Sequence, residues 1–199
     1  MLGVQGVGRR GMASGIAVAT SAGWQQAGSV VVGQGVLTFD GGLQRVVATR
    51  TAPAWAGDGP CPRNLWPVEV PRGALGNREV MQLAADQPIL IESDAAEAQG
   101  NDPFALIRAR ALDGVRGICR VPPAPDEMLI TLTFAFEQIV FVAGGAMLHC
   151  PAAAPDLLDG AASSARYPVL DMEDAVRIAQ ALSEDTHQAR SAGLPGIRS

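Results

Sequence analysis

The chain has 199 residues, of which 48% are hydrophobic, 5% aromatic and 18% charged, and its net charge is −5. That length supports one sizeable core, and that apolar share offsets the ordering entropy that keeps polar chains disordered. The basic residues are all arginine and form no clustered stripe, which excludes the electrostatic footprint of a nucleic-acid-binding protein.

Residues 1–14 read as a glycine-rich arm whose arginines follow its short apolar stretch instead of preceding it. This is not the order of a secretory signal, and no apolar run reaches the roughly 18 residues of a membrane span. The expectation is cytoplasmic synthesis without a signal peptide, with export or incorporation into an extracellular particle left open. From Gly15 the pattern turns to β: residues 16–20, a turn at Ser21, Ala22 and Gly23, then Val30, Val31 and Val32. A strand over residues 36–39 follows, then Asp40-Gly41-Gly42 and a strand over 44–49. Asp-Gly between two such runs is a strong hairpin signal.

Residues 52–67 carry four prolines and form a loop, with Trp55 and Trp66 expected to anchor it onto the core. Further strands are expected over 68–70, 80–83 and 89–91, and an exposed loop between Ser93 and Asp102. Residues 105–112 suit either helix or strand. Two apolar runs follow between Met128 and Val142, interrupted at Glu137-Gln138. Beyond Pro151 a small, polar linker leads to a helix capped by Asp171, with Glu173 and Asp174 in its first turn. Ala175, Ile178, Ala179 and Leu182 recur at helical spacing, and Gly193 with Pro195 provides the stop. The narrow apolar stripe is expected to dock on the β domain or on another subunit.

Residues able to do chemistry are few. Cys61, Cys119 and Cys150 are far apart, no Cys-x-x-Cys occurs, and the histidines are His149 and His187, so metal-site spacing is absent. Free thiols are favoured over a disulfide. His149 and Cys150 are adjacent in a strand and so point to opposite faces, which argues against a dyad. Glu92, Asp94 and Glu97 lack the glycine-marked loop of a calcium site and read as solvated charge. Gly3, Gly6 and Gly8 imitate a dinucleotide fingerprint, but no strand precedes them and no helix follows. No cofactor and no metal is expected.

The stretch GIAVATSAGWQQAGSVVVGQGVLTFDGGLQRV, from Gly15 to Val47, resembles the opening of bacterial Hint (hedgehog/intein-type) domains. The matching positions are Val18-Ala19-Thr20, Gly23-Trp24, Val32-Gly33, Val36-Leu37-Thr38 and Asp40 to Gln44. PVEVPRGALGN, residues 67–77, followed by AADQPILIES, resembles a second block, and residues 129–143 a third. The resemblance spans roughly residues 11–151. It implies a mainly β, Hint-like compact domain of short strands over residues 15–151, and the linker and C-terminal α-helix read from the residues complete the chain over 152–199.

Active members of that family are expected to carry a thiol or hydroxyl that attacks the preceding carbonyl, and an imidazole that assists by proton transfer. Counting back from Gly15 places the nucleophile position at Gly11, and the histidine position falls at Gln87. Both chemical groups are missing. The expectation is therefore a degenerate, non-catalytic structural or protein-interaction module. Its glycine-bearing termini would pack against other protein subunits, in a homo-oligomer or a larger phage-like or surface particle. The competing expectation is autoprocessing with displaced catalytic residues, for which Ser14 is the candidate nucleophile.

Overall fold

Alternating apolar and polar side chains organise the chain into a curled, almost wholly antiparallel sheet. The computed structural model describes residues 10–100, 102–153 and 166–192. The first strands are β1 (Met12–Ala13), β2 (Ala17–Thr20), β3 (Gly23–Gln26), β4 (Gly35–Thr38) and β5 (Gly42–Pro53). β6 (Val68–Val70), β7 (Met81–Leu83) and β8 (Pro88–Glu92) lead to helix α1 (Asp94–Gly100). Then come β9 (Phe104–Arg108), β10 (Cys119–Arg120), β11 (Met128–Phe134), β12 (Gln138–Val142) and β13 (Ala146–Cys150). Helix α2 (Met172–Ala192) closes the described chain.

The strand order is β10-β6-β7-β1-β11-β5-β4-β2-β12-β13-β8-β9, with β3 paired to β2. β5 joins the two halves. Its start pairs with β4, from Thr38 opposite Gly42 to Gly35 opposite Arg45. Its remainder pairs with β11, from Val46 opposite Phe134 to Pro53 opposite Met128. In β11 the alternation puts Ile130, Leu132 and Phe134 into the core while Thr131 and Thr133 face the other way. In β8 residues Pro88 to Ile91 are all buried, as befits a strand covered on both faces.

The Asp40-Gly41-Gly42 hairpin forms as the sequence implies, with Gly42 at φ +62°, where a side chain would be strained. Other expectations need correction. Met12 and Ala13 are not part of a free arm: Met12 pairs with both Ile130 and Leu83 and is 1% exposed, so the domain begins before Gly15. The strand after the first turn is β3, not residues 30–32. Val31 and Val32 lie in a turn and are exposed, because β2 already has β3 and β4 as neighbours. The polar stretch after Ser93 is helix α1, opened by the Ser93 hydroxyl accepting the Ala95 N–H. Residues 105–112 divide into β9 and a 3-10 turn over Ala109–Leu112. The two tryptophans staple the 52–67 loop to itself: Trp55 donates its indole N–H to Gly59 and Trp66 to Cys61.

Asp171 caps α2 by accepting the Asp174 N–H at 2.9 Å. Ala175, Ile178, Ala179 and Leu182 are all buried against the β domain, where full burial of Ile178 or Leu182 is worth ~1.5–3 kcal/mol each. The segment leading into the helix is tied down too. Val169 bridges Leu106 of β9 in parallel, and Leu170 donates its N–H to the Leu106 carbonyl. The stop at Gly193 and Pro195 and most of the 152–165 linker lie outside the described residues.

Candidate functional site

Gly11 enters the sheet between two strands that come from distant parts of the chain. Met12, next to it, pairs with Leu83 on one side and with Ile130 on the other. Gln87 stands at the start of β8, after the Ala84–Gln87 turn, and is 3% exposed. The two residues expected to mark the missing chemistry are brought together. The Gln87 amide oxygen accepts the Gly11 N–H at 2.8 Å, and its Nε2 donates to the carbonyls of Pro88 at 3.0 Å and His149 at 2.8 Å. Every polar atom of the Gln87 amide is thus engaged, without a group that titrates near neutrality.

Position 11 has been shaped around the absence of a side chain. Its φ is +135°, a region L-residues rarely adopt. A Cβ there would sit 3.0 Å from the Ile130 carbonyl oxygen and 3.3 Å from both the Leu129 Cβ and the Thr131 Oγ1. The Thr131 hydroxyl, in turn, donates to the carbonyl of Arg10 at 3.3 Å, across the peptide bond that precedes Gly11. Ser14 is not brought to this bond. It lies three residues further along the chain, roughly 10 Å at strand rise, its N–H goes to Met128 and its carbonyl accepts the Gly28 N–H.

His149 connects this junction to the C-terminal segment. Its carbonyl holds Gln87, and its Nε2 lies 3.0 Å from Glu137 Oε2. The other carboxylate oxygen of Glu137 accepts the Tyr167 N–H at 2.9 Å. Tyr167 donates its hydroxyl to Asp40 at 2.5 Å, and Arg166 pairs with the same carboxylate oxygen at 2.7 Å. Burial above all, reinforced by Arg10, holds the His149 imidazole below its ordinary value despite the opposing pull of Glu137. For Glu137 burial acts upward, but hydrogen bonds from His149 and the Tyr167 backbone outweigh it and lower its value. The Nε2 side of the ring faces the Glu137 carboxylate, while the buried Nδ1 has no hydrogen-bond partner among the described residues. Burial and the Asp40 contact push the Tyr167 hydroxyl up to about 12.

His149 and Cys150 do not form a dyad. Cys150 is in the main core cluster, where burial pushes its thiol up to about 12, whereas His149 reaches Glu137. All three cysteines are free thiols. Thr131, Glu137 and Tyr167 were not expected at the site. The signal for Glu137 lies in the Gly144-Gly145 turn, which closes the β12–β13 hairpin and so brings positions 137 and 149 together. Glu92 closes β8, and Asp94 and Glu97 lie in the first turn of α1. Among the described residues no group of three His, Cys, Asp or Glu is placed to hold a metal ion, and no helix is long and apolar enough to cross a membrane. A cavity of about 470 Å³ lies beneath residues 166–170, bordered by Phe39, Phe104 and Ile178, but its lining includes neither Gly11 nor Gln87.

A family model described as the Hint domain matches residues 11–147, and the chain belongs to that family. The match begins at Gly11 itself. Among solved structures, a bacterial intein-like domain from Clostridium thermocellum is 12% identical, with a TM-score of 0.48 over 71% of this chain and 98% of that one. A splice-inactive AceL NrdHF class 3 split intein is 12% identical, with a TM-score of 0.43 over 72% and 98%. The MchDnaB-1 intein is 17% identical, with a TM-score of 0.39 over 71% and 99%. No curated protein matches the chain significantly.

Proposed function

We propose that this chain is a Hint scaffold without self-processing chemistry, serving as a structural or protein-interaction module within an oligomer or larger assembly. The observation that carries this reading is the Gln87 amide, buried and spent on Gly11, Pro88 and His149. An amide side chain cannot relay a proton at neutral pH, and Gly11 offers no nucleophile. The same hydrogen bonds that an active site would leave for substrate here hold three backbone segments together. The site has become a joint.

One observation favours a second reading, autoprocessing with a displaced nucleophile. The Thr131 hydroxyl already touches the Arg10 carbonyl oxygen. Attack of Oγ1 on that carbonyl carbon would form an ester on Thr131 and release the Gly11 amine, after which water would hydrolyse the ester to a free carboxylate on Arg10. The discriminating experiment is intact mass of the full chain expressed behind an upstream fusion, with and without added thiol. The module reading expects an unchanged mass under both conditions. Cleavage between Arg10 and Gly11 that disappears in Thr131→Val would replace it with the second reading through Thr131, and cleavage near Ser14 would replace it with autoprocessing through Ser14.

A further inference from the structure

Ladder register places Trp24 of β3 opposite Ala19 of β2, and Leu37 of β4 opposite Leu43 of β5. Thr20 lies opposite Val36 and the Ser21 N–H goes to the Gly35 carbonyl, so their chain neighbours Ala19 and Leu37 stand on one face of β2 and β4. Cross-strand partners share a face, and these four residues therefore lie on one face of four strands. The alternate residues Val18 and Val36 have no exposure, which makes theirs the core side. This face is the outer one, although Ala19 within it is only 8% exposed. Trp24 is 53% exposed and Leu43 56%, while Val31 and Val32, in the turn before β4, are 62% and 60% exposed. Of the eleven large hydrophobic side chains exposed among the described residues, seven fall between positions 24 and 47. Scattered exposure is ordinary, but such clustering marks an interaction surface.

The same stretch also carries few charges. Between positions 24 and 47 the only ionisable side chains are Asp40 and Arg45. Asp40 holds Arg166 and Tyr167, and Arg45 donates to the Gly33 carbonyl. In a chain of net charge −5, a stretch with one acid and one arginine lets two acidic copies approach without adding to their repulsion. The area is of the right order as well. Half-exposed side chains of this size leave roughly 50 Å² each, or about 350 Å² together, against the ~450 Å² that is apolar in a standard ~800 Å² half-interface.

We propose that this face is the contact between two copies of the chain, packed sheet against sheet about a two-fold axis with Trp24, Leu37 and Leu43 at its centre. A two-fold contact presents one patch to itself, so a neutral apolar face finds its complement in the same face of a second copy. The inference rests on the interaction-module reading and names its partner. Light scattering on the full chain across a concentration series tests it. About twice 20.6 kDa is expected, falling toward 20.6 kDa on dilution. Leu37→Asp and, separately, Leu43→Arg should weaken the dimer at least ~10-fold with unchanged circular dichroism, whereas Val80→Asp, at an exposed site outside this stretch, should leave it intact. A wild-type mass of 20.6 kDa at every concentration would overturn the proposal. So would a dimer that survives both face substitutions but is lost when residues 1–9 are removed, since the arm would then be the contact. A monomer would leave the uncleaved-fusion result standing, and cleavage of the fusion would leave the dimer standing, so the two failures are distinguishable.

Discussion

The backbone N–H of Gly11 and the side-chain oxygen of Gln87 meet at 2.8 Å inside the protein, and the same Gln87 amide reaches on to the His149 carbonyl. One side chain therefore ties the first strand, the start of β8 and the end of β13. Replacing it with the similarly shaped Gln87→Met leaves buried backbone groups short of a partner. The expected loss is ~1–3 kcal/mol, read as a lower urea midpoint with an unchanged slope. A loss below about 0.5 kcal/mol, the usual range for surface changes, would mean that the joint contributes nothing beyond packing.

On the module reading, a thiol at position 11 and an imidazole at position 87 should not produce cleavage. Gly11 stands at φ +135° with the Ile130 carbonyl 3.0 Å from where a Cβ would lie. Gly11→Ala is expected to cost ~1–3 kcal/mol through backbone strain and that close approach. The double variant Gly11→Cys with Gln87→His should give no thiol-dependent cleavage of an upstream fusion, because at φ +135° a side chain at position 11 would be strained and crowded by the Ile130 carbonyl. Efficient cleavage by the double variant would show that only the side chains had been lost and that the frame is still competent.

Stability should fall as the medium is acidified, in two steps. His149 is held below its ordinary value of 6.5, chiefly by burial, so the unfolded chain takes up that proton first. The His149 contribution is complete above 6.5 and is lost as pH falls toward the folded-state value, with a slope of at most ~1.4 kcal/mol per pH unit. Glu137 is also lowered, hydrogen bonds outweighing burial, and its contribution is present above 4.5 and lost below as the folded-state value is approached. Urea midpoints across this range check both, and His149→Gln should flatten the upper step. A midpoint that rises on acidification through 6.5 would contradict the buried neutral imidazole.

The three thiols should react in a set order. Cys119 is exposed, Cys61 is partly covered and raised by burial, and the buried Cys150 thiol is pushed up to about 12. A disulfide reagent at mildly alkaline pH should therefore modify Cys119 first, Cys61 more slowly, and Cys150 only on unfolding, since the thiolate is the nucleophile. Mass mapping reads the order, and modification of Cys150 in the native protein would place an opening near β13.

Local pattern carried much of the fold. The Asp40-Gly41-Gly42 turn, the alternation in β11 and the Asp171 cap with its buried stripe depend on residues a few positions apart, so period and turn chemistry alone predict them. The identities at positions 11 and 87 were likewise legible as a glycine without a side chain and an amide without an imidazole. Three valines in a row at 30–32 carried the wrong message. β-propensity favours a strand there, but no edge of β2 was left for them to pair with. What only the tertiary structure decided is that Gly11 and Gln87, 76 residues apart, share a hydrogen bond. It also decided that His149 pairs with Glu137 and not with its neighbour Cys150, and that Trp24, Leu37 and Leu43 share one outer face. Each of these depends on the register of several strands at once, and a one-residue slip in any ladder would turn the side chains to the opposite face.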